Sequence, residues 1–512
     1  MLFGDWLGRR AQLSPGRLAL IDTLRGETAI TYRDWNLQTN RTAHLLQREG
    51  IRRGDRVAVL AKNCVEQLDL WFACGKLGAI LQPLNWRLTP HELASLLGRS
   101  RPALLVYGPD FLSTLDALRD RPETASIRRW LPLSEAHRAT PADLPFAARD
   151  TCPDHALSPV DLGPDDPWVL CTTGGSTGLP KAAVLTHGNI TWNAINTTAS
   201  WSLTPDDLAI LNAPLFHTGG LNVFTAPLVH IGGASIVCRE FNADQVYDLI
   251  EQHPVSLFFG VPTMFLALAE HARWSTAHLD RLKLVISGGA PCPLPLFERF
   301  WQCGIASFKT GYGLTEAGPN TFWLPDEEVQ KKPGAVGYPL MHVDIRIAGA
   351  DGRECGAGEV GELLVRGPHV CAGYWEDAEA TAGAIREGWL HTGDLAERDA
   401  EGCVRIVGRA KEVIISGGEN IYPAEVENVL ATHPKVVEVA LIGVPDERWG
   451  EVGRAVVVAR GELDVEELLA FARERLAKYK VPRSVVLVEA LPRTSAGKVD
   501  KRGLVTRSHS LL

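Results

Sequence analysis

The run Thr172-Thr173-Gly174-Gly175-Ser176-Thr177-Gly178-Leu179-Pro180-Lys181-Ala182-Ala183-Val184 gathers hydroxyls, glycines and one lysine into a single turn. Glycines at 174, 175 and 178 free the backbone to aim several N–H groups to one side, which makes a cradle for phosphate. Ser176 and Thr177 add hydroxyl donors, Lys181 adds a point charge, and Pro180 stiffens the exit. The common nucleotide-binding loop needs Gly-Lys-Ser/Thr in succession, whereas here Leu179 and Pro180 separate Gly178 from Lys181. A kinase-like or motor-ATPase loop is thereby disfavoured. An ordinary Gly/Ser turn between a strand and a helix is the plain alternative.

Outward from this run, apolar strands alternate with helical stretches through about residue 310, the signature of parallel sheets covered by helices. Residues 56–60 read as a strand, 65–77 as a helix and 79–83 as the next strand. Thr89-Pro90-His91-Glu92 opens a helix with a capping box, and 103–107 returns as strand. The same rhythm at 208–212, 234–237, 256–259 and 283–287 predicts two helix-covered sheet lobes in an α/β fold. From about Gly334 the pattern changes to short alternating strands such as 343–347, with turns at Asp351-Gly352 and Glu401-Gly402, so a small β-barrel or distorted antiparallel sheet is expected. After Lys411 a separate α+β pattern follows, with helices near 424–431 and 465–476 and strands near 436–443, 454–459 and 484–488. The expected division is a large N-terminal domain over residues 1–408 and a small C-terminal domain over 409–512.

A chain of 512 residues exceeds one comfortable core, and 45% hydrophobic with 22% charged residues is an ordinary globular composition. Ten cysteines without a Cys-x-x-Cys spacing read as reduced thiols and make a structural zinc site improbable. The start Met1-Leu2-Phe3-Gly4-Asp5-Trp6 carries an early acid and no secretory signal. The longest apolar stretch, Leu257 to Ala269, is interrupted by Gly260, Pro262 and Thr263 and is shorter than the ~20 residues a membrane span needs. A cytoplasmic protein without a membrane span is expected. The net charge of −9 argues against nucleic acid as a partner. Residues 476–512 nevertheless carry eight Lys/Arg against two acids, which suits either a solvated basic tail or contact with a polyphosphate.

Four further segments keep company with the first run. They are Gly311-Tyr312-Gly313-Leu314-Thr315-Glu316; Gly388-Trp389-Leu390-His391-Thr392-Gly393-Asp394; Gly408-Arg409-Ala410-Lys411-Glu412 running on to Gly417-Gly418-Glu419-Asn420-Ile421-Tyr422-Pro423; and Pro492-Arg493-Thr494-Ser495-Ala496-Gly497-Lys498. In order and spacing, across nearly the whole chain, the five resemble the motifs of the adenylate-forming superfamily, which holds acyl-CoA synthetases, peptide-synthetase adenylation domains and firefly-type luciferases. The resemblance implies an AMP-forming acid–thiol ligase that uses ATP, Mg²⁺ and CoA. A carboxylate resists nucleophiles because it is anionic and lacks a leaving group; conversion to an acyl-adenylate supplies AMP as that group.

By the same resemblance, Thr173, Gly175, Ser176, Thr177, Gly178 and Lys181 grip the β- and γ-phosphates. Thr315 touches the α-phosphate, Glu316 binds Mg²⁺ and Tyr312 stacks on adenine, with Gly289, Ala290, Pro291 and Gly311 beside the nucleotide. Asp394 accepts from both ribose hydroxyls and Arg409 assists. Lys498 reaches the carboxylate and the α-phosphate during adenylation. The mobile C-terminal domain then swings about a hinge at Lys411 to bring Gly417 and Gly418 to the thioester site. His217 borders the acyl pocket and the pantetheine passage, and stands where amino-acid-activating members usually carry aspartate, which disfavours an α-amino acid substrate. His217, Asn222, Val223, Val261, Gly288, Gly313 and Leu314 line a mostly apolar pocket for a fatty, alicyclic or aryl acid. Two positions depart from the commonest pattern: Gly174 stands where serine is usual, and Ala182 replaces the glycine after Lys181. A β-carbon beside a phosphate-facing turn pushes the loop outward. The departures therefore raise an alternative, an enzyme that mainly converts a preformed acyl-adenylate to its CoA ester. A carrier protein as acceptor, and a non-catalytic sensor of the acid or its adenylate, are the other readings.

Overall fold

The computed structural model describes residues 3–173, 180–494 and 497–508. The first lobe is a six-stranded sheet in the order Arg129–Pro132, Leu104–Tyr107, Arg56–Leu60, Ile80–Pro83, Pro167–Thr173, Lys181–Thr186. Every pairing in it is parallel except the last. The phosphate-loop run thus joins two antiparallel strands, Thr172 facing Ala182 and Thr173 facing Lys181, and is not the strand-to-helix turn of the plain alternative. The helix His187–Ser200 begins only after the second of these strands, with a Thr186/Asn189 capping box.

Local signals explain the boundaries. Helix Val65–Leu77 ends at Gly78, whose φ of 66° is the left-handed conformation that favours glycine. Helix Pro90–Ser100 carries the expected Thr89/Glu92 box with proline in the first turn. The core beneath this sheet holds Trp35, Trp71, Phe72 and Trp168, all essentially without solvent exposure.

The second lobe is a seven-stranded sheet in the order Phe308–Thr310, Leu284–Ser287, Leu257–Gly260, Leu208–Leu211, Ala234–Val237, Leu18–Asp22, Thr28–Thr31. It is parallel apart from the last pair, so the beginning of the chain completes the edge of a sheet built mostly two hundred residues later. The expected barrel region is an open, curled antiparallel sheet. Asp344–Ala348 pairs with Gly361–Arg366, which pairs with Trp389–Arg398, and both Ile385–Arg386 and Val404–Arg409 add to Trp389–Arg398.

The last hundred residues form a separate sheet, in which Gly450–Ala459 lies between Val436–Asp446 and the parallel strand Ser484–Leu487. Helices Pro423–Leu430 and Val465–Arg475 cover it, and its apolar clusters draw on no residue before Ile414. An ion pair of 2.8 Å between Arg460 and Glu270 joins this segment to the second lobe. Among the described residues, no helix is long and apolar enough to cross a membrane.

Candidate active site

Parallel strands end together, and their carboxyl ends leave a crevice where side chains of distant segments converge. Here the ends of the second-lobe strands, the 213–223 segment, the Thr173/Lys181 hairpin and the C-terminal residues Gly497 and Lys498 enclose a cleft of about 1560 Å³. Close backbone approach dictates the Gly-Tyr-Gly run at its floor. A β-carbon on Gly311 would stand 2.5 Å from Ile286 Cγ2, and one on Gly313 would collide with the Pro319 carbonyl oxygen.

Two carboxylates are held by tyrosines. Tyr374 Oη donates to Glu316 Oε1 at 2.8 Å, and the Lys181 ammonium lies 5.3 Å from the centre of the Tyr374 ring. Glu316, Lys181 and Tyr374 all line the cleft. Asp394 is buried; its Oδ1 pairs with Arg409 Nε at 2.6 Å and its Oδ2 accepts from Tyr312 Oη at 2.6 Å. Burial raises the Asp394 carboxyl above its ordinary range, and the Arg409 charge opposes that rise. Tyr312 stands behind this carboxylate, its ring meeting Phe322 edge-on at 5.7 Å, while its neighbours Gly311 and Gly313 form the cleft wall.

Lys498 projects into the cleft, where solvent still reaches it. The protein packed around it weakens hydration of its ammonium and lowers its pKa, with Arg409 adding repulsion and Asp394, Glu316 and Glu412 pulling the other way. His217 faces the same space. Burial pushes its imidazole down to about 4, and the charges of Arg87 and Lys498 push in the same direction, so the ring is neutral at pH 7. Its Nε2 is buried without a protein partner among the described residues.

Several expected positions fall elsewhere. Asn222 is buried behind the pocket, its amide donating to Thr218 Oγ1 at 3.0 Å, and leaves Val223 to form the wall. Thr173, Thr315, Gly288, Gly289, Val261 and Leu314 line the cleft; Ala290 and Pro291 continue outward from Gly289, whose φ is 80°, and leave the wall. Gly417 and Gly418 make the hairpin turn between Ile414–Ser416 and Glu419–Ile421, away from the cleft, with φ of 60° and 90°. Lys411 lies on the cleft wall in the short helical turn Ala410–Glu412. Gly174, Gly175, Ser176, Thr177 and Gly178 lie outside the described residues.

Ala182 overturns one expectation. Its strand places Lys181 on the cleft side and turns the Ala182 β-carbon to the opposite face, into an apolar cluster with Ile80, Leu170, Val184 and Trp375. Among the described residues it packs on that face, away from Lys181, and the case for weak adenylation loses this support. Sequence reasoning also missed Tyr374, Phe259 and Asn320, each on the cleft wall. The 256–259 strand was legible, but nothing in its pattern marks Phe259 as the residue at its mouth.

Comparison with known proteins places these features. The family pattern described as AMP-binding enzyme matches residues 7–375, and that of the AMP-binding enzyme C-terminal domain matches residues 425–498. The chain is 44% identical over 500 residues to a feruloyl-CoA synthase from Amycolatopsis sp, spanning 97% of each chain. It is 37% identical over 523 residues to an indoleacetate–CoA ligase from Aromatoleum aromaticum, spanning 99% of each. ATP-bound MatB from Rhodopseudomonas palustris superposes with a TM-score of 0.89 at 30% identity over 100% of both chains. The apo form of MatB gives 0.78, so the arrangement of this chain is nearer the ATP-bound one.

Proposed function

This chain belongs to the AMP-binding enzyme family and is an AMP-forming acyl-CoA ligase, and from that premise we propose that its acid is a planar aryl carboxylic acid and that the cleft residues divide the two half-reactions between them. The observation that carries the division is the meeting of Lys498 with Thr315, Glu316 and His217 around one cleft. In the first half-reaction a carboxylate oxygen of the acid bonds to the α-phosphorus of ATP and pyrophosphate leaves. Both reactants are anionic there. The Lys498 ammonium, within the fields of Glu316 and Asp394, would offset that charge, and Thr315, on the same cleft, would donate to the α-phosphate. Lys181 and Thr173 stand at the mouth of the loop assigned to the β- and γ-phosphates.

Asp394 would accept from the ribose hydroxyls; Arg409 and Tyr312 hold the carboxylate in place and leave each oxygen a further lone pair. Glu316 suits Mg²⁺. It is a carboxylate in the cleft with one oxygen fixed by Tyr374, and the described residues contain no cluster of three or more His, Cys, Asp or Glu able to hold a metal by themselves. A single protein carboxylate plus substrate phosphates is the usual magnesium arrangement, and the ion would neutralise phosphate charge there.

In the second half-reaction the CoA sulfur bonds to the acyl carbon, AMP leaves, and the thiol proton goes to solvent or to a neighbouring base. Neutral His217 lines that route and adds no charge beside the thiol. The 409–412 segment is the proposed hinge, with Lys411 at its centre, about which residues 413–508 withdraw Lys498 and bring Gly417 and Gly418 inward.

The aryl assignment is supported by Phe259. β-carbons placed on Gly219 and on Gly288 would each stand 3.0 Å from its ring, so glycine backbones pack close against both edges of the ring, and Phe259 joins Val223, Val261 and Leu314 in an apolar stretch of cleft wall suited to an aromatic ring. The test is pyrophosphate release and thioester formation with ATP and CoA across cinnamates, arylacetates and straight-chain acids. Aryl acids are expected to be preferred at least tenfold in kcat/KM; preference for straight-chain acids would overturn the assignment. Adding a phosphopantetheinylated carrier protein in competition with CoA tests the acceptor, and CoA is expected to win.

A further inference from the structure

Asn320 is 2% exposed and lines the cleft beside Val223. Its Nδ2 donates to Thr197 Oγ1 at 2.8 Å and to the Val223 carbonyl at 3.0 Å, with the Asn222 carbonyl at 3.4 Å. Backbone carbonyls are answered only by a donor, and the Thr197 hydroxyl is itself donating to Asn193 O at 2.7 Å. These partners fix which atom of the amide is nitrogen. The remaining atom, Oδ1, is an acceptor with no protein partner among the described residues. The nitrogen is spent on the wall, so the oxygen is the part of the amide left to the cleft.

An acceptor in a mostly apolar pocket is costly when unanswered and selective when a ligand answers it. A pocket that hydrogen-bonds a substrate hydroxyl rejects the analogue lacking it far more strongly than an apolar pocket rejects a missing methylene. Asn320 also reaches the pocket wall through Val223, which follows the buried Asn222; its Nδ2 therefore serves positioning and its Oδ1 is available for recognition.

We propose that Asn320 determines substrate specificity, its Oδ1 accepting a hydrogen bond from a hydroxyl or ring N–H carried on the aryl part of the acid. The inference rests on the aryl-acid reading above. It narrows that reading to acids bearing a donor.

The test compares thioester formation by the full-length enzyme with 3- and 4-hydroxycinnamate, cinnamate, and the two methyl ethers of the hydroxy acids. The native enzyme is expected to favour at least one hydroxy acid by about tenfold or more in kcat/KM over both cinnamate and the matching ether. Asn320→Leu is expected to remove that preference, bringing the ratio within about twofold of unity. Loss of the Nδ2 bonds lowers all five acids alike, so the ratio and not the rate is the readout. Asn320→Thr, whose hydroxyl can still answer the Val223 carbonyl, replaces the leucine variant if that variant does not fold. No preference in the native enzyme, or a preference that survives either substitution, would overturn the assignment to Asn320. Failure of every one of these acids with ATP and CoA would instead sink the aryl-acid reading itself.

Discussion

Removing one phenol oxygen, as in Tyr374→Phe, isolates the link between Glu316 and Lys181. The hydroxyl donates to Glu316 Oε1 at 2.8 Å, while the ring that carries the Lys181 contact stays in place. A hydrogen bond to a charged group contributes about 1.5–3 kcal/mol net. Tyr374 is half-buried on a cleft that water enters, so water replaces part of this and about 1.4 kcal/mol is the expected loss, or tenfold in rate. The loss belongs to the half-reaction in which phosphate charge sits beside Glu316. Pyrophosphate release, read with saturating acid and varied ATP and Mg²⁺, is expected to fall about tenfold in kcat/KM for ATP. Conversion of a preformed acyl-adenylate to the CoA ester is expected to change less than about twofold. Equal losses in both half-reactions, or none in either, would refute the reasoning, because each outcome detaches the hydroxyl from the proposed phosphate-side role of Glu316. Tyr374→Ala also removes the cation–π contact, worth a further 0.5–1 kcal/mol or so, and is expected to be the more severe of the two.

Lys498→Ala is expected to lower pyrophosphate release by about 10²–10³-fold while leaving thioester formation from preformed adenylate largely intact, as separate half-reaction assays would read. The Lys498 ammonium is charged below its pKa and neutral above it, and that pKa is lowered; adenylation should therefore fall with rising pH at a lower pH than an ordinary lysine would give, and the limb should vanish from the thioester half-reaction. His187, His217 and His369 are each pushed down from 6.5 to about 4 by burial. The unfolded chain thus binds protons that the folded chain refuses, so their stability contribution is whole above pH 6.5 and is lost as pH falls from 6.5 toward 4. Each contributes up to about 1.4 kcal/mol per pH unit in that window, and a thermal midpoint unchanged between pH 7 and pH 5 would contradict it. Ala182→Gly is expected to destabilise by about 1–2 kcal/mol, through lost burial and added backbone freedom, without raising pyrophosphate release; a gain in release would restore the idea that this β-carbon hampers the phosphate loop.

Much of the architecture was legible because it follows from local rules. The end of helix Val65–Leu77 at Gly78, the capping box at Thr89 and strand Ala234–Val237 are dictated by a left-handed glycine, side-chain oxygens and a β-branched Ile-Val pair that act over a few residues. The half-barrel was less legible, because closure depends on whether the first and last strands of a sheet meet, and no local signal records that. Ala182 was misjudged for a related reason. Read as part of a loop its β-carbon faces phosphate, but read as the second residue of a strand it faces away from Lys181, since side chains alternate.

By itself the sequence determined the reagents: the order of five polar motifs, the parallel-sheet alternation around them, and a lysine near the end of the chain. Only the tertiary structure decided which reagents meet. Tyr374 finds Glu316 across 58 residues, Tyr312 finds Asp394 across 82, and Asn320 turns its nitrogen to Thr197 across 123, leaving its oxygen to the cleft. Propensity and periodicity act through neighbours along the chain, whereas the face a side chain presents at a crevice is set by strand register and by how closely two backbones can approach. Those are properties of the packed molecule.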